Sequence, residues 1–100
     1  MFGTVGLCKV KAGNRDEMVA VFERYGDIEI PGYKGVELMF PENHDDTMIM
    51  VVWFDNAENY WKNAKDPEQD KRYQEYRALM EEDPVWYDGD WIHGPWRSLS

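Results

Sequence analysis

Cysteine is nearly missing from this chain: Cys8 stands alone, so no disulfide can close within it. Basic residues are scarce as well. Eleven Lys and Arg face twenty Asp and Glu, a net charge of -9, and such a surface repels nucleic acid and anionic membranes. Histidine occurs only as His44 and His93, far apart and without Cys or carboxylates at ligand spacing, so no metal site is expected. His44-Asp45-Asp46 reads as a solvated turn. The longest apolar run, Met48 to Phe54, falls well short of the roughly 20 residues a membrane helix needs. No cationic leader precedes an apolar segment, and the expected location is the cytoplasm.

Aromatic residues, in contrast, are abundant. Five Trp, six Tyr and four Phe among 100 residues are too many for a disordered acidic segment and indicate a packed core. The length fits one domain, expected over residues 1-93, with 94-100 as a C-terminal tail. Phe2 to Val10 alternates as a strand, with Thr4, Gly6 and Cys8 on one face and Val5 and Leu7 on the other. Asn14 followed by Glu17 predicts a capped helix with Met18, Val21, Phe22 and Tyr25 at helical spacing, ending at Gly26. Strands are predicted at Tyr33 to Phe40 and Thr47 to Asp55, joined through a polar turn. Asp55-Asn56-Ala57-Glu58 opens a short helix to about Ala64. Asp66-Pro67 opens another, running to about Glu82. Val85 to Ile92 supplies a last strand. The order is βαββαβ, an α+β ferredoxin-like protomer with its helices on one face of an antiparallel sheet.

In Met48 to Phe54 every residue is apolar, so both faces of that strand require burial. Helices cover only one side of such a sheet, and a second copy of the sheet is the expected cover, giving a homodimer. The alternative is that the tail, carrying Trp96, folds over the open face.

Lys11-Ala12-Gly13 after the first strand, an acidic first helix, Pro31-Gly32-Tyr33-Lys34-Gly35, Val52-Trp53 closing a strand and Glu58, Tyr60, Trp61 and Lys62 on the following helix occur here in one order. Together they resemble the antibiotic biosynthesis monooxygenase family over residues 2-92. The resemblance implies a dimeric α+β barrel and a ligand cavity between sheet and helices in each protomer. It also places Trp61 at a pocket position. Haem-degrading members carry an Asn on the first strand and a His on the second helical region. Gly6 and the stretch around Lys71, Arg72 and Tyr73 supply neither, which disfavours haem.

The implied activity is that of a cofactor-independent monooxygenase, needing no cofactor and oxidising a small electron-rich aromatic with O2: a phenol, a quinol or a polyketide-like ring. The protein binds the substrate, removes a proton and stabilises an anion. Trp61 is the main catalytic candidate, Arg77 or Arg72 would stabilise the anion, and Glu37 or His93 would accept the proton. Thr4, Gly6, Cys8, Tyr60, Tyr73 and Tyr76 are the expected ligand-binding residues, the small strand residues leaving room beneath the helices. Each has a plainer reading. The Tyr and Trp residues would fill the core, Glu37 would be a surface carboxylate, the arginines would pair along the helix, Cys8 would be a buried filler, and Asp88 and Asp90 would keep a strand edge soluble. A dimer that binds a small ligand, or has only a structural role, without chemistry is the competing function.

Overall fold

The structure, a computed structural model, describes residues 1-92. The tail 94-100 and His93, a candidate proton acceptor, lie outside the described residues. Seven elements follow in the order β1 (Phe2–Lys9), α1 (Arg15–Arg24), β2 (Tyr33–Met39), β3 (Thr47–Phe54), α2 (Ala57–Ala64), α3 (Pro67–Arg77) and β4 (Val85–Asp90). The strands form one antiparallel sheet in the order β2-β3-β1-β4. This is the ferredoxin-like α+β plan, with its helices on one face.

Register decides which residues the helices see. Thr4 stands between Val52 and Asp88, and Gly6 between Met50 and Trp86. Because side chains alternate along a strand, the even-numbered residues of β1, β3 and β4 share the helical face with Val36 and Leu38 of β2, and a register shift between Tyr33 and Gly35 brings Tyr33 opposite Phe54 on that face as well. There Cys8, Met48 and Met50 join Val10, Met18, Val21, Tyr76 and Met80 in the core. Four of these are methionines exposed by no more than 1%, unbranched side chains that fill irregular gaps. The remaining odd-numbered residues emerge on the other face, where Leu7, Met39, Val85 and Tyr87 are 41%, 50%, 52% and 62% exposed.

Several elements close one or two residues before the expected end, β4 at Asp90 rather than Ile92 among them, and three further differences have a local reason. Asn14 makes no side-chain cap to α1. At α2 the cap is Asn56, one residue later than the Asp55 box: its side chain accepts from the Asn59 amide at 2.8 Å, while Asp55 accepts from the Asn59 side chain at 3.0 Å. Helix α3 ends at Arg77, short of Glu82, because the chain beyond it is drawn onto the end of β1. Lys11 donates to the Leu79 carbonyl at 2.8 Å, Glu81 donates to that of Lys9 at 3.0 Å, and Val10 bridges Met80. The Asp66 cap and Pro67 open α3 as expected, the carboxylate accepting from the Glu68 amide at 2.9 Å.

Among the described residues no helix is long and apolar enough to cross a membrane.

Candidate functional site

Helices α2 and α3 are separated by only Lys65 and Asp66, and this break carries the roof of a cleft of about 310 Å³. The volume is at the lower end of small-molecule sites. Its floor is the helical face of the sheet: Thr4 from β1, Met50, Val52 and Phe54 from β3, Trp86 and Asp88 from β4. From α2 come Tyr60, Trp61, Asn63 and Ala64, and from α3 Gln69, Asp70, Tyr73 and Tyr76.

The polar end of the cleft is a hydrogen-bonded pair. Tyr60 Oη donates to Asp88 Oδ1 at 2.5 Å, joining α2 to the edge strand. Burial, and then the bond to Asp88, raise the Tyr60 pKa above the ordinary tyrosine value, with the Thr4 hydroxyl acting the other way. The phenol therefore stays protonated, its hydrogen committed to the carboxylate. Thr4 Oγ1 donates to the Tyr87 carbonyl at 3.3 Å. Phe2, Phe54 and Trp61 surround the Tyr60 ring, with centroids 5.1, 5.6 and 4.9 Å away, distances at which aromatic rings attract edge to face. Trp61 itself is 42% exposed at the rim.

Two further features define the chemistry. Asn63 Oδ1 is buried and has no hydrogen-bond partner. The charged residues lining the cleft among those described are Asp70 and Asp88, with no Lys, Arg or His beside them. A smaller cleft of about 110 Å³ lies against Phe22 and Tyr25 of α1 and shares Asn63, Gln69 and Tyr76 with the first. Its charged residue is Arg72, whose Nε donates to Gln69 Oε1 at 3.0 Å.

The structure brings Trp61, Thr4, Tyr60, Tyr73 and Tyr76 together around the larger cleft. Other candidates fall elsewhere. Glu37 pairs with Val51 on the opposite face of the sheet, so it cannot reach a substrate beneath the helices. Arg77 is held at the end of α3, donating to Asp83 at 2.8 Å and to the Met80 carbonyl at 3.1 Å, and it meets the cleft only through Tyr73. Cys8 is a 2% exposed core residue, its thiol pushed up to about 11 by burial. The space over Gly6 is occupied by Trp86 and is not left for a ligand. Asp88, expected to keep an edge soluble, instead lines the cleft. Asp70, Asn63, Gln69 and Trp86 were not anticipated either; only the alternation of β4, with Trp86 and Asp88 two residues apart, carried a signal.

Among the described residues no group of three or more His, Cys, Asp or Glu side chains could hold a metal ion.

No family model matches the chain, and no curated protein sequence matches it. Solved structures do. SnoaB, a cofactor-independent oxygenase from Streptomyces nogalater, superposes with a TM-score of 0.79 at 15% identity, over 96% of this chain and 97% of that one. A putative antibiotic biosynthesis monooxygenase from Bordetella bronchiseptica gives 0.79 at 13% identity, over 92% and 97%. Another from Nitrosomonas europaea gives 0.75 at 9% identity, over 93% and 100%. At these identities the likeness establishes a shared fold over nearly the whole of each chain: this chain has the fold of the antibiotic biosynthesis monooxygenases.

Proposed function

We propose that the protein is a cofactor-independent monooxygenase, cytoplasmic and homodimeric, acting on a small electron-rich aromatic such as a phenol, quinol or polyketide-like ring. The observation that carries this reading is the aromatic cleft with Tyr60 and Asp88 hydrogen-bonded at its polar end. A planar ring fits between Trp61, Tyr73 and Trp86, where stacking and burial hold it. Asp88 accepts the substrate proton, with Tyr60 positioning its carboxylate. The substrate anion then gives an electron to O2, and the two radicals recombine at carbon. At an activated CH2, loss of water from the resulting hydroperoxide leaves a carbonyl. One oxygen atom enters the product, the other leaves as water, and the substrate supplies all four electrons. The fold shared with a named cofactor-independent oxygenase supports the same reading.

The dimer rests on the sheet face that no described helix covers. Leu7, Met39, Val85 and Tyr87 are largely exposed there, and Val5, Ile49 and Val51 share their side by register. A patch of this composition on a small domain marks an association surface.

The test is O2 uptake with a hydroxyanthrone and a naphthohydroquinone, measured above their spontaneous oxidation. Uptake of one O2 per hydroxyanthrone converted to its quinone, lost in Trp61→Ala and Asp88→Asn, is expected. No uptake above background with either probe would leave a binding protein without chemistry.

A further inference from the structure

An anion formed in an active site is stabilised by nearby positive charge, and among the described residues no Lys, Arg or His lines the larger cleft. Asp70 and Asp88 line it without a cation, and among the described residues neither takes part in an ion pair. Lys71, next to Asp70 in sequence, is paired with Glu68, and Arg72 lines the smaller cleft and is hydrogen-bonded to Gln69. Arg77 is paired with Asp83 and touches Tyr73 from outside the lining. The third polar feature points the same way. Asn63 Oδ1 is a buried acceptor with no donor, a condition that costs free energy until a donor arrives. The cleft thus presents two carboxylates and one unpartnered buried acceptor, Asn63 Oδ1, among aromatic walls whose ring faces also attract cations.

We propose that the cleft selects an aromatic substrate that carries its own positive charge: an electron-rich phenol bearing a protonated amine. The ammonium group offsets Asp70 and Asp88 in the bound complex, donates to Asn63 Oδ1, and stands near the anion left when the phenol is deprotonated. A neutral phenol lacks this complement, and a phenol bearing a carboxylate would meet repulsion from both aspartates. This inference rests on the larger cleft being the substrate site.

Three phenols of nearly the same shape separate charge from size: tyramine is cationic, tyrosol neutral and 4-hydroxyphenylacetate anionic. Their dissociation constants are measured by calorimetry, with the indole N–H signals of Trp61 and Trp86 followed by NMR to locate binding. Tyramine is expected to bind about tenfold tighter than tyrosol or better, and 4-hydroxyphenylacetate weakest, with the tyramine advantage shrinking in high salt. Asp70→Asn combined with Asp88→Asn is expected to remove most of that advantage while preserving an acceptor for Tyr60. Glu42→Gln, in a turn outside both clefts, controls for the overall negative charge and is expected to leave the advantage intact. Equal binding of tyrosol and tyramine would overturn the charge selection and leave the cleft as an aromatic site. An advantage that survives the double variant, or that falls as much in Glu42→Gln, would overturn it too, as would failure of all three phenols to bind. Oxygen uptake with the hydroxyanthrone judges the oxygenase reading separately.

Discussion

The six-membered ring of Trp86 occupies the space that a side chain on Gly6 would fill, with Cε3 only 2.8 Å from where a Cβ would stand. The two residues are cross-strand partners, so the missing side chain on β1 is what lets an indole from the edge strand lie flat over the sheet. In that position Trp86 forms part of the cleft and meets Tyr73 at 6.5 Å between ring centroids.

Gly6→Val is therefore expected to displace Trp86 and reshape the cleft. Overpacking of this kind costs about 1 to 3 kcal/mol, which chemical denaturation would register. The binding of aromatic phenols should fall more than stability does. A variant as stable as the parent, with the Trp86 indole signal unmoved in the NMR spectrum, would contradict this account.

Trp61 tests how far the aromatic residues of α2 are structure and how far they are site. Since it is 42% exposed, Trp61→Ala removes less packing than a buried tryptophan would. The expected loss is about 1 to 2 kcal/mol, below the 3 to 5 typical of a fully buried Trp. Ligand affinity should drop at least tenfold. Denaturation and calorimetry on the same variant compare the two effects, and a stability loss above about 3 kcal/mol would make Trp61 a core residue.

Several tyrosines hold their protons more tightly in the folded chain. Burial raises the Tyr60, Tyr76, Tyr33 and Tyr73 pKa values, whereas in the unfolded chain they ionise near 10. Above about pH 10 the unfolded state binds fewer protons than the native state, so stability decreases with rising pH. It is fully present below that value and is lost as the pH climbs toward the folded pKa values. Denaturation at about pH 8 and about pH 11 should show this loss, with a smaller loss in Tyr60→Phe. Absorbance at the tyrosinate band should rise late, together with unfolding. Early ionisation of all tyrosines in the still-folded protein would refute the assignment.

Alternation and caps made the fold legible, because a sheet with one helical face imposes a period of two on every strand and Pro67 after Asp66 leaves little freedom at the start of α3. The candidate site was legible only in part. Tyr60, Tyr73 and Tyr76 lie on helices whose apolar sides must meet the sheet, so local periodicity finds them, whereas the pocket position of Trp61 is legible only through the family resemblance. Asp88 was hidden because its role depends on pairing: only the register of β4 against β1 puts it opposite Thr4 and within reach of Tyr60. Glu37 alternates with Val36 and Leu38 along β2, and it lies on the open side in keeping with its plainer reading as a surface carboxylate. The small size of Cys8 suits either a ligand face or a buried filler, and the core packs around it as a filler.

The open face offers the most direct check on assembly. Val51 sits on β3 between the edge-ward neighbours Val5 and Glu37, on the side away from α2 and α3, so an added charge there meets no helix. If the face were solvated in the working protein, Val51→Asp would be nearly neutral, since surface substitutions usually change stability by less than about 0.5 kcal/mol. If two sheets pack together, the same change places an unpaired carboxylate in the middle of an apolar contact from each side, and buried unpaired charge is strongly unfavourable. The expected outcome is a dimer for the parent and a concentration-dependent shift toward 11.9 kDa, the mass of one chain, for Val51→Asp in sedimentation equilibrium. A parent that sediments at the single-chain mass at micromolar concentration would leave the apolar face uncovered and refute the dimer.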